Sequence, residues 1–176
     1  MKHMRISTIV VSIILAAFRV HGQEQSIEDG WKGIKVFKTT RAIVEKLLGE
    51  PSPESGKVFT IYPHPEAHVS VIYSNSRCSA VPNAATYDLE KGTVLEYMVN
   101  LRTPIPLADL KWKKDDYGGG PDKHRLGLHH YTNTDGSVWI TTRMIDGKEL
   151  VQGYWFNNTL EQRKSHSCEK KKPTAM

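Results

Sequence analysis

Hydrophobic and polar positions alternate with a period of two over much of this chain. In 92–102, Leu95, Tyr97, Val99 and Leu101 share one parity, and Glu96, Asn100 and Arg102 the other. Such alternation is the pattern of a strand with one packed face and one wet face. The same reading predicts strands over 57–62 and 68–74. In the second, Val69, Val71 and Tyr73 point one way and His68, Ser70 and Ile72 the other, with Pro63-His64-Pro65-Glu66 turning the chain between the two. Later, 128–132, 137–144 and 149–156 are joined through Thr134-Asp135-Gly136 and Asp146-Gly147. Asp-Gly between strands favours the positive backbone angles of tight hairpins, and connections this short impose antiparallel pairing.

One segment changes period. Ile43, Val44, Leu47 and Leu48 fall at i, i+1, i+4 and i+5, while Arg41, Glu45 and Lys46 lie largely outside that stripe. This predicts a short amphipathic helix over 41–48, capped by Thr39 or Thr40 and stopped by Gly49 and Pro51. Its stripe, Leu47 included, is expected to be buried against the sheet. The fold class that follows is α+β: a short N-terminal amphipathic helix packed on an antiparallel sheet of about five to six strands. No alternating strand–helix–strand pattern occurs, which disfavours a doubly wound nucleotide fold. Between the elements, 31–37 reads as extended and partly buried. The stretch 103–112 opens with two prolines and closes with a helical turn at 107–110. The charged stretch 115–125, with Gly118-Gly119-Gly120-Pro121, reads as a flexible loop.

The two ends have a different character. Lys2 and Arg5 precede an uncharged apolar run over 6–18, and Val20-His21-Gly22 offers small or modest residues where a signal peptidase reads. The run has signal-peptide length and is short for a stable anchor. Residues 1–22 are therefore expected to be a signal peptide cleaved near Gly22/Gln23, and the mature chain, which has no second apolar run long enough to span a membrane, to be secreted or periplasmic. The remaining sequence divides into a mobile leader over 23–30, a single domain over 31–168 and a disordered basic tail over 169–176.

Export also alters the charge. The formal net charge is +5 and the isoelectric point about 9.1, but Lys2, Arg5 and Arg19 leave with the leader. Arg163, Lys164, Lys170, Lys171 and Lys172 crowd the C-terminal end, so the body between is slightly acidic. Its one basic cluster, Lys111, Lys113 and Lys114, is followed at once by Asp115 and Asp116, which reads as a solvated turn. A nucleic-acid groove needs clustered basic residues on the folded surface, so no nucleic-acid partner is expected. The two cysteines, Cys78 and Cys168, are expected to form a disulfide in an oxidising compartment. The alternatives are two free thiols, or a nucleophile paired with one of the eight histidines.

The stretch Trp31-x-Gly33-Ile34 followed by Thr40-Arg41-x-x-Val44-Glu45-x-Leu47-Leu48-Gly49-x-Pro51 resembles a group of uncharacterised exported proteins of acidobacterial type. The resemblance continues through Tyr73, Cys78, the strand at 92–102 and Cys168. It implies an exported chain and names no activity. Locally, Leu48, Gly49 and Pro51 are similar to the helix ending of the SmpA/OmlA lipoproteins and the β-lactamase inhibitory proteins. The anchoring cysteine of those lipoproteins is missing here, so the similarity concerns a local shape.

Candidate chemistry is sparse. His64 and His68 are four apart, but Pro63 and Pro65 exclude the helix that would align them. His129 and His130 are adjacent and point to opposite faces of a strand. A site could draw on His124, one of His129 and His130, and Asp115 or Asp116, without any local ligand spacing to support it. Gly118-Gly119-Gly120 lacks the lysine of a phosphate loop, no Gly-x-Ser-x-Gly elbow exists, Ser137 reads as a turn residue, and Glu96 as a solvent-facing strand carboxylate. Asn157-Asn158-Thr159 fits the glycosylation pattern without meaning in a bacterium. Trp139, Tyr154, Trp155, Phe156 and Tyr131 are expected to divide between core and an exposed recognition patch. No cofactor and no metal is expected. The function that fits is a non-enzymatic module that binds an unknown protein or cell-envelope component; the alternative is a small periplasmic hydrolase with a His/Asp site assembled across the sheet.

Overall fold

The computed structural model describes residues 26–56, 58–75, 77–78 and 87–168. The expected signal peptide at 1–22 and basic tail at 169–176 lie outside them, as do 23–25 of the expected leader. Among the described residues no helix is long and apolar enough to cross a membrane.

The fold is α+β, built on one antiparallel sheet of seven strands rather than five or six. These are β1 (Thr60–Pro63), β2 (Ala67–Tyr73), β3 (Val94–Pro106), β4 (Tyr117–Pro121), β5 (Leu128–Asn133), β6 (Val138–Ile145) and β7 (Lys148–Phe156), with α1 (Arg41–Leu48) and α2 (Leu160–Ser165). The order across the sheet is β1-β2-β3-β7-β6-β5-β4. Two meanders therefore meet at β3 and β7. After β3 the chain crosses to the far edge, starts again at β4 and returns strand by strand. The strand missed in the sequence is β4, whose glycines read as a loop. Gly119 lies so close to β5 that a Cβ there would meet the His130 carbonyl oxygen at 2.0 Å, and its φ is +141°. Gly119 is what lets this edge strand approach β5; a Cβ at Gly118 or Gly120 would meet nothing within 4 Å.

One face of the sheet is the core. Tyr62, Val69, Val71, Val94, Tyr97, Val99, Ile140 and Val151 are fully or almost fully buried there. The parity predicted for β2 holds. In β3 a register shift against β2 at Ile72/Tyr73 brings Val94 to the core side together with Tyr97 and Val99. The N-terminal segment packs on this face through Ile27 and Ile34, and Tyr97 fastens it: its hydroxyl donates to the Ile34 carbonyl at 2.8 Å and accepts from the Trp31 amide at 3.0 Å. The ring stacks on Phe156 at 4.4 Å.

Four further expectations need correction. The leader at 23–30 is not loose where it is described: Ile27 is buried, and its amide donates to the Lys111 carbonyl at 3.0 Å. The stretch 31–37 is partly buried, as expected, but extended only in part: positive φ at Lys32 and Gly33 folds Trp31–Gly33 into a 3-10 turn, Ile34 is extended, and Phe37 again has positive φ. Helix α1 buries Val44 and Leu48 only, while Ile43 is 49% and Leu47 41% exposed. A two-turn helix beside a face already filled by Ile27, Ile34 and Tyr97 reaches the core along one i, i+4 line. Its first amide is satisfied by the Gly92 carbonyl at 2.7 Å and not by a threonine hydroxyl. The disulfide between Cys78 and Cys168 is present, with Cα atoms 5.5 Å apart. Ahead of Cys168, α2 carries a Thr159/Gln162 capping box that the sequence reading overlooked.

Candidate functional site: the Glu149 crevice

The segment leaving β3 determines where a ligand can go. After the 3-10 turn Leu107–Asp109, the chain runs over the core side of the late strands and places Trp112 edge-on to Tyr117 at 4.9 Å and to Tyr131 at 5.5 Å. Between this segment and the sheet lies a crevice of about 690 Å³, lined by Pro106, Leu107, Asp109, Trp112, Lys114, Tyr131, Lys148 and Glu149. Its volume falls in the range of small-molecule sites.

Glu149 is the organised group in this crevice. It stands near the start of β7, opposite Met144 of β6. One carboxylate oxygen, Oε1, receives three side chains: His129 Nδ1 at 2.9 Å, the Tyr131 hydroxyl at 2.8 Å and the Thr142 hydroxyl at 2.5 Å. The other oxygen accepts no hydrogen bond among the described residues. Burial pushes this carboxyl up, but the hydrogen bonds from Thr142, Tyr131 and His129 outweigh it and hold the pKa below the usual carboxylate range. The carboxylate is therefore ionised at neutral pH. Tyr131 is pushed up to about 12, chiefly by burial and then by the bond and charge of Glu149, so it remains a donor. The result is a fixed negative charge, spoken for on one oxygen, beside two aromatic rings.

The residues singled out in the sequence divide between this site and others. His129 and His130 do diverge, and only His129 joins Glu149. His130 lies on the opposite face, with Nε2 3.2 Å from Asp122 Oδ2 and Nδ1 3.3 Å from the Thr141 hydroxyl. This chain of acid, imidazole and hydroxyl crosses the sheet, but it uses Asp122 and not Asp115 or Asp116. His124 is exposed, and His64 packs against Trp31 at 5.4 Å. Asp115 and Asp116 stay on the exposed turn Lys114–Asp116. Among the described residues no group of three or more His, Cys, Asp and Glu side chains comes together to hold a metal ion. Glu96 is not simply solvent-facing: it lines a groove on the outer face, and burial raises its pKa against the opposing pull of Arg163.

Of the aromatic residues, Tyr154 and Phe156 are core, Tyr131 lines the crevice, and Trp139 and Trp155 lie together on the outer face with ring centroids 5.3 Å apart. Glu149 and Trp112 were missed. Glu149 read as the polar start of a strand and Trp112 as the end of a connection, and neither has a local motif. The one signal pointing their way was the odd parity of His129 and Tyr131 on the same strand. No family model, no curated protein and no solved structure matches this chain.

Proposed function

We propose that this protein is a non-enzymatic binding module, exported by a signal peptide at 1–22 to the periplasm or the cell exterior as the resemblance to exported acidobacterial proteins implies, and that its Glu149 crevice takes an ammonium group carried by a cell-envelope component. The observation that carries this reading is one ionised carboxylate, held on one oxygen by three donors and open on the other, in an aromatic-walled crevice. A positive group is attracted both to a carboxylate and to the faces of tryptophan and tyrosine, and both attractions strengthen away from bulk water. Lys114 and Lys148 line the same crevice and suit an anionic group at the ligand's other end. A zwitterion, such as a short peptide with free termini, meets both requirements. The disulfide agrees with an oxidising compartment.

The test is calorimetric titration of the chain from Gln23 onward with glycine betaine and with alanyl-alanine, against sodium chloride at matched ionic strength. Saturable binding is expected. Glu149→Gln keeps an acceptor for the three donors but removes the charge, and should weaken binding of alanyl-alanine, whose ammonium can donate to the free oxygen, by at least about tenfold, the scale of one charge-assisted hydrogen bond. Absence of saturation, or equal affinity of the variant, overturns the reading.

A hydrolase is the second reading, favoured by the Asp122–His130–Thr141 chain. It requires turnover of activated esters or amides that His130→Ala abolishes; the binding module requires none.

A further inference from the structure

The sheet face opposite the core leaves large apolar side chains exposed. Phe59, Met98 and Trp139 are 44%, 43% and 38% exposed there. Two shallow grooves, of about 210 and 350 Å³, run across the strands and share Met98 and Trp155, so they form one furrow. The furrow is polarised. Glu96 lines only the first groove, while Arg125 and His130 line only the second. No lysine lines either, and the middle is tryptophan and methionine, the composition of the buried part of a protein interface.

We propose that this face joins two copies of the chain about a two-fold axis passing near Met98 and Trp155. A two-fold contact must be self-complementary: whatever lies to one side of the axis meets what lies to the other. Rotation about the furrow's centre sets Glu96 of one copy against Arg125 of the second, twice, and sets Met98 and Trp155 against their own images. Sheets with one apolar face exposed bury it by packing face to face, which here closes the layer that the domain leaves open. Arg125 has donors to spare, since its nearest acid, Asp122, is 3.9 Å from Nε and the side chain is otherwise exposed. Glu96 is half-buried, and Arg163 does not cancel the effect of its burial, so a second cation from outside is favourable. The occupant is a copy of this chain, not an unrelated protein, because the furrow carries both halves of its own charge pair. The proposal is independent of the Glu149 crevice, which opens on the other side of the sheet.

Sedimentation velocity over a wide concentration range tests it, with the chain from Gln23 onward. A reversible monomer–dimer equilibrium is expected. Met98→Glu places a carboxylate on the axis in both copies and should abolish the dimer. Arg125→Glu should weaken it about two- to fivefold, the scale of a rim ion pair. Combining Arg125→Glu with Glu96→Arg should restore it, and weakening by added salt should shrink in any variant lacking the pair. If Glu96→Arg disturbs folding, judged by the thermal melt, Glu96→Gln should weaken the dimer, by less than Arg125→Glu does, because it removes the attraction without adding a like-charge repulsion. A chain that is monomeric throughout, or a dimer indifferent to Met98→Glu, overturns the proposal.

Discussion

Individual side chains in this fold matter through contacts that their type alone does not reveal. Leu47 and Leu48 are identical neighbours on α1, yet Leu48 is 6% exposed and Leu47 41%. Leu48→Ala should cost about 2–5 kcal/mol in urea denaturation, the range for a buried leucine, and Leu47→Ala within about 0.5 kcal/mol. Equal losses would place both side chains in the core. Gly153 makes the same point in reverse. It sits on β7 between Asn100 and Thr141, where a Cβ would meet the Val99 carbonyl oxygen at 2.2 Å. The obstacle is backbone in the middle of a sheet, so the strands must move. Gly153→Ala should lower stability by about 1–3 kcal/mol, the usual penalty of overpacking, with an unchanged denaturant slope.

The strands and turns follow their local chemistry closely, while the charges they bring together do not. Asp146 and Gly147 adopt the positive φ values, 50° and 73°, that a tight hairpin between β6 and β7 requires. That hairpin and the pairing of β5 with β6 put His129, Tyr131, Thr142 and Glu149 around one point. The folded pKa of Glu149 lies below its unfolded value. Its stabilisation is therefore complete above the ordinary carboxylate range and is lost as the pH falls through the folded value. Thermal melts from roughly pH 6 to pH 3, spanning ordinary carboxylate titration, should fall, and the fall should be shallower in Glu149→Gln. Glu28 is shifted the same way, by hydrogen bonds from the Lys113 amide and Ser26 that outweigh its burial, so only the difference between the two proteins reports on Glu149. Identical slopes would mean that the three donors do not favour the ionised form.

Long-range closure ties the C-terminal end of the domain to the connection between β2 and β3. Cys78 and Cys168 are 90 residues apart in sequence, and α2 leads into the second of them. Next to the bridge, the Asp88 amide donates to the His166 carbonyl at 2.8 Å, and Phe37 packs between Tyr87 and His166 at 4.8 and 5.2 Å. Closing so long a loop restricts the unfolded chain. Replacing both cysteines by serine should cost about 2–5 kcal/mol at equilibrium, on the chain-entropy account. A loss well below that range would mean that α2 is held by the Tyr87 and His166 contacts alone.

What the sequence determined by itself was what depends on neighbours in the chain. Six of the seven strands, the helix at 41–48 and both Asp-Gly hairpins were legible, because a two-residue or 3.6-residue period and a turn's backbone angles are local properties. The divergence of His129 and His130 was legible for the same reason. Strand β4 was not, since three glycines carry no side-chain alternation and are ordered only by the β5 backbone beside them. Nor was the choice of Val44 and Leu48 over Ile43 and Leu47, which depends on how much of the core face the N-terminal segment had already filled. The crevice was the least legible feature. Trp112, His129, Tyr131, Thr142 and Glu149 come from a connection and three strands, and nothing in their spacing marks them as a group. Only the return of β7 to the side of β3, after the crossover to the far edge, carries Trp112 over the sheet and sets one carboxylate beneath three donors. Sheet order is settled by the burial of one common face, a property of the assembled strands that no single stretch of sequence contains.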